Sequence, residues 1–195
     1  MPKVSLKPGE DPVQLASLPY AEQEALKVAE SLKTEPLIGP SATKANVVGR
    51  MLGQRIIHLA THGLLDLVGY GMPGAVVLTP VAGDDGLLKA EEILDLSLDA
   101  ELVVLSACNT GRGRMTGDGI VGLARAFITA GVPSVVVSLW SVADDSTAFL
   151  MTRFYEHLRG GFDKAAALHN AMLDTSARYP HPRDWAAFTL VGRAV

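Results

Sequence analysis

Five short, unbroken apolar runs constrain this chain more than any other feature of its sequence. They occupy residues 55–60, 75–78, 101–106, 132–139 and 187–192, and helical patterns or turn residues separate them. A strand with one wet face alternates apolar and polar residues, whereas a run that is apolar at both parities suits a strand covered on both faces. Helical spacing of apolar residues predicts helices over 20–32, 89–96, 118–130, 144–158 and 163–179. A further helix runs through Val47, Val48 and Leu52, with Ser41 as its expected cap. Strand and helix in alternation predict an α/β, doubly wound fold with a mostly parallel sheet and helices on both faces. At 195 residues and 48% hydrophobic, the chain is long enough for one substantial core.

Several function classes are disfavoured at the outset. Seventeen basic and twenty-one acidic residues give a net charge of −4, with no run of like charges that would track phosphates or anchor to a membrane surface. Nucleic-acid binding and membrane association are therefore not expected. The first 18 residues scatter Pro2, Pro8, Gly9, Asp11 and Pro12 without periodicity and read as a linker or tail outside the core, followed by one domain over 19–195. No apolar run reaches the length of a signal core or a membrane span, so a cytoplasmic location is expected. Cys108 is the sole cysteine, which excludes an internal disulfide and zinc spacings built on cysteine pairs.

Ligands in open α/β sheets sit beyond the carboxyl ends of the strands. Run 55–60 ends in Thr61-His62-Gly63, and run 101–106 is followed by Ala107-Cys108-Asn109. If the two strands are neighbours, His62 and Cys108 share a cleft, and an imidazole there activates the thiol. The N–H groups of Gly63 and Cys108 form the expected oxyanion hole. Asn109, Gly111 and Gly113 let the chain turn sharply beyond the cysteine, and Arg112 and Arg114 belong to the same loop, read as solvated. The plainer reading makes Cys108 a small core residue and His62 a strand cap. His58, inside its apolar run, reads as a core histidine. A metal site from His58, His62 and Asp66 lacks ligands, and no metal or organic cofactor is expected.

Five blocks, in order, resemble the CHAT family, a caspase-like module attached to tetratricopeptide repeats. They are Ile57 to Gly63, Leu102 to Gly111, Gly117 to Phe127, Val135 to Asp145 and His181 to Gly192. The resemblance implies a caspase-like three-layer sandwich and a clan CD cysteine endopeptidase in which Cys108 is the nucleophile and His62 its proton-transfer partner. The 46-residue separation of the pair fits the spacing of about 50 in caspases. Ser106-Ala107-Cys108-Asn109-Thr110 departs from the caspase signature, so cleavage after aspartate is not implied. Residues 139–144 are similar to a loop in separases, which cut after arginine, and this makes Asp144 the candidate base of a specificity pocket. The other reading of Asp144 is an acidic helix start. Trp140 walls the cleft or fills core, and Asp118 lines the cleft or caps its helix. The implied partners are a protein or peptide substrate and a tetratricopeptide-repeat region or activating protein. Only a short non-repetitive lead precedes the domain, which leaves both a fragment and a stand-alone member open. The competing functions are a latent or non-hydrolytic interaction module and a thiol redox or acyl-transfer protein. The lack of a resolving cysteine weakens the redox version.

Overall fold

The computed structural model describes residues 3–4, 13–64, 74–106, 108–109 and 117–195, with side chains described over 14–64, 74–106 and 121–195. The lead carries two short antiparallel strands, β1 (Lys3–Val4) and β2 (Val13–Gln14). Helix α1 (Pro19–Leu32) starts with a proline, whose missing N–H costs nothing in a first turn, and ends where Lys33 adopts a left-handed conformation. Helix α2 (Lys44–Met51) is capped by Thr43, whose hydroxyl accepts from the Asn46 N–H. The expected cap, Ser41, instead closes a single 3₁₀ turn by bonding both the N–H and the carbonyl of Ile38.

The main sheet has the order β10-β9-β7-β3. Strands β3 (Ile56–Leu59), β7 (Leu102–Leu105) and β9 (Ser134–Ser138) run parallel, and β10 (Phe188–Gly192) returns antiparallel to β9. Each strand alternates its side chains between two apolar layers, which is why its sequence is apolar at both parities. Ile57, Leu59, Val103, Leu105, Val135 and Val137 join one cluster with Val47 and Met51 of α2. Helices α3 (Ala90–Leu94) and α4 (Gly117–Thr129) contribute Ile93 and Phe127 to the same cluster. Leu102, Val104 and Val136 face the other cluster with Val28 of α1. There they meet Phe154 and Tyr155 of α5 (Asp144–Arg159) and Ala167 and Ala171 of α6 (Lys164–Arg178). The result is the expected three-layer arrangement. Burying each of the large side chains contributes about 1.5–3 kcal/mol.

Run 75–78 does not enter this sheet. Strand β5 (Ala75–Val77) lies in a second sheet of order β6-β5-β4-β8, with β6 (Leu87–Lys89), β4 (His62–Leu64) and β8 (Cys108–Asn109). Leu64, Ala75, Val77 and Leu87 form a third apolar cluster, and Leu15 completes it at 4% exposure. The end of the lead thus belongs to the core, because Leu15 packs its apolar side chain into the cluster of the small sheet.

Candidate active site at the end of two parallel strands

The site arises from a register. Strands β3 and β7 pair as Ile56↔Leu102, Ile57↔Val103, His58↔Val104 and Leu59↔Leu105. Beyond the ends of β3 and β7, pairing is found again between β4 and β8, which also run parallel, with His62↔Cys108 and Gly63↔Asn109. The offset between partners is the same before and after the break. The spacing of His62 and Cys108 along the sequence is therefore the register of the parallel pair, carried past the end of the main sheet. Neighbouring strands lie about 4.8 Å apart, so the two backbones are adjacent. Thr61 fixes the corner by donating its hydroxyl to the Val77 carbonyl at 2.6 Å.

His62 is buried, with 4% exposure. Its Nε2 lies 2.8 Å from the carbonyl oxygen of Ala16, in the segment that leads into α1. A carbonyl only accepts, so Nε2 carries the proton and donates it. Nδ1 then holds the lone pair of the neutral ring, and it has no hydrogen-bond partner among the described residues. Burial pushes the His62 pKa below the ordinary histidine value, opposed by the Ala16 carbonyl and by the charge of Asp144. The ring is accordingly neutral near pH 7, held at one nitrogen and without a partner at the other among the described residues.

Asp144 is the first residue of α5. Ala143 occupies the cap position, so Asp144 does not act as the side-chain cap, although with Asp145 it places negative charge in the first turn. Its Oδ2 accepts from the Tyr20 N–H of α1 at 2.8 Å. Burial raises the Asp144 pKa, with Glu24 and Asp145 adding to the rise and the Tyr20 N–H and His62 opposing it. Two helix starts therefore meet beside His62. Trp140 is partly buried against the second cluster, and its indole N–H donates to the Arg183 carbonyl at 3.0 Å, which supplies the partner that a buried tryptophan requires. Asp118 is the second residue of α4. Gly63 stands between Val76 and Asn109 in the second sheet. Asp66, Gly111, Arg112, Gly113 and Arg114 lie outside the described residues.

His58 is a different kind of histidine. Its Nε2 is 2.7 Å from Glu24 Oε1 and its Nδ1 is 3.0 Å from the Tyr155 hydroxyl, so both nitrogens are used inside the protein. Nothing in the sequence marks the Ala16 carbonyl or the Tyr20 N–H, since backbone groups carry no residue signature. The register could have been read by aligning 56–62 with 102–108.

A three-layer α/β sandwich with a histidine and a cysteine at the ends of adjacent parallel strands defines a caspase-like domain. The chain matches the model of the CHAT domain over residues 5–193 and belongs to that family. It is 34% identical over 212 residues to tetratricopeptide repeat protein 28 of Mus musculus, with 91% of this chain and 9% of the relative covered. It is 33% identical to the Homo sapiens protein of the same name, covering 91% of this chain and 8% of the relative. The chain thus spans less than a tenth of the length of these relatives. Among the described residues no helix is long and apolar enough to cross a membrane.

Proposed function

We propose that this domain is a cysteine endopeptidase using Cys108 and His62. The observation that carries the reading is the pairing of the two residues in register, with the His62 ring held at Nε2 by Ala16 and open at Nδ1. In this mechanism Nδ1 takes the thiol proton of Cys108 as Sγ attacks the substrate carbonyl. The tetrahedral oxyanion accepts from the N–H groups of Gly63 and Cys108. Collapse breaks the C–N bond, Nδ1–H protonates the departing amine, and a thioester remains on Cys108. Water, deprotonated by Nδ1, then attacks the thioester and releases the acid, and the proton returns to Sγ.

The ordinary proton affinity of a buried imidazole would waste this arrangement if the ring were charged. The lowered pKa of His62 keeps the base form available and so supports the role. Asp144 is the proposed recipient of a basic substrate side chain, with Trp140 as a fixed wall and Asp118 near the mouth of the cleft. The relatives' name supports a tetratricopeptide-repeat region as the neighbouring or activating partner.

Hydrolysis of peptide substrates by Cys108→Ala and His62→Ala variants tests the reading. Each is expected to lose at least about 10³ in kcat/KM while retaining the native circular dichroism spectrum. Substantial hydrolysis by either folded variant overturns the dyad, and a folded wild-type protein that binds peptides without cleaving them points to an interaction module.

A further inference from the structure

Helix α1 lacks a cap of its own. Leu18 holds the cap position and offers no side-chain acceptor, and Pro19 at the start of the helix has no N–H. The Ala21 N–H turns back to the Leu18 carbonyl at 3.2 Å. The Tyr20 N–H is taken by Oδ2 of Asp144, 124 residues away on α5, at 2.8 Å. Asp144 therefore does for α1 what a serine or aspartate at position 18 would do. It accepts from an N–H of the first turn, and its charge lies at the positive end of the helix. The Tyr20 N–H in return favours the ionised carboxylate against the cost of its partial burial.

That bond lies a few residues from the one that holds His62. The stretch from 15 to 20 is anchored at both ends, by Leu15 in the third apolar cluster and by Tyr20 on Asp144. Between them the carbonyl of Ala16 accepts from His62 Nε2 at 2.8 Å. Pro19 narrows the backbone freedom of the residues that connect the two bonds. Ala21 and Glu24 are buried, so release of Tyr20 loosens the residues before them and leaves the rest of α1 seated. A carbonyl that shifts by about 1 Å no longer makes a good hydrogen bond, and the imidazole it orients is then free to turn.

We propose that Asp144 is a positioning residue for His62: by capping α1 from α5, it fixes the Ala16 carbonyl that orients the imidazole. The catalytic consequence rests on the peptidase reading above, whereas the positioning itself does not. The cap engages Oδ2, so the pocket role falls to Oδ1 of the same carboxylate. An aspartate that only receives a basic side chain matters to basic substrates alone. One that also sets His62 matters to every substrate.

Asp144→Ala and Asp144→Asn separate the two roles, because an asparagine amide oxygen still accepts from the Tyr20 N–H but carries no charge. In natively folded protein, Asp144→Ala is expected to lower kcat by at least about tenfold for arginine and leucine substrates alike. Asp144→Asn is expected to recover most of that kcat, while KM for the arginine substrate stays raised. A second readout needs no hydrolysis: the His62 Nε2 proton, followed by magnetic resonance in protein carrying isotope-labelled histidine. It is expected to exchange with water at least about tenfold faster in Asp144→Ala than in the wild type or Asp144→Asn. Loss of kcat confined to the arginine substrate would make Asp144 a pocket residue alone and overturn the proposal. Equal kcat losses in the two variants would assign the effect to charge and overturn it too. An Nε2 proton that exchanges equally fast in all three proteins also overturns it. A wild type that hydrolyses neither substrate sinks the peptidase reading, and the exchange comparison then decides the positioning by itself.

Discussion

The surroundings of His58 and His62 differ although the two residues lie four apart on consecutive strands and both side chains are largely covered, that of His58 at 7% exposure. The His58 ring is satisfied at both nitrogens, by a carboxylate on α1 and a phenol on α5, and the network links three elements across one core layer. Among the described residues the His62 ring is satisfied only at Nε2. A fully paired buried polar group holds structure, because each partner would be costly to leave alone. A half-paired one beside the strand that carries Cys108 is the arrangement that the proposed function uses for proton transfer. The difference separates a structural histidine from a catalytic candidate where residue type and burial do not.

The comparison can be broken by substitution. His62→Ala is expected to remove peptide hydrolysis while lowering stability by only about 1 kcal/mol, the scale of one hydrogen bond. At the other site the balance reverses. Removing Glu24 with Glu24→Ala leaves the His58 ring without its acceptor and is expected to cost about 1–3 kcal/mol in denaturant unfolding, with activity per folded molecule little changed. Equal stability losses at the two sites would erase the distinction. Tyr155→Phe, which deletes one hydroxyl from the His58 network, is expected to cost about 1 kcal/mol.

Proton linkage sharpens the same contrast. The folded-state pKa of His62 lies below its unfolded value of 6.5, so the unfolded chain binds more protons as pH falls through that value. The contribution of His62 is fully present above pH 6.5 and is lost as pH drops toward the folded pKa. Thermal melts should therefore fall with acid in this window, and less steeply in His62→Gln. The acid limb of kcat/KM should likewise lie below pH 6.5. Asp144 acts with the opposite sign nearer pH 4. Its pKa is raised above the ordinary aspartate value, so its half-buried charge costs stability at higher pH, and protonation relieves that cost.

Much of the architecture was legible because its signals are long. Helices such as α5 and α6 carry apolar residues at helical spacing over four turns, and the strands of the main sheet are apolar at both parities. The second sheet was not legible, since β4 has three residues and β8 two, and such segments have no period to read. Run 75–78 looks like the other buried runs but pairs with β4, because the chain folds back on itself after His62. The lead reads as a tail by composition. One side chain, Leu15, and one carbonyl, that of Ala16, tie it to the third cluster and to His62. Both are long-range contacts without a local signature.

Labelling with an acyloxymethyl-ketone peptide followed by mass spectrometry tests the central claim most directly, with arginine, leucine or aspartate beside the reactive group. The expected result is a single adduct on Cys108, strongest for arginine and lost in His62→Ala. A natively folded protein that takes no label on Cys108, or that labels equally well without His62, would contradict the account.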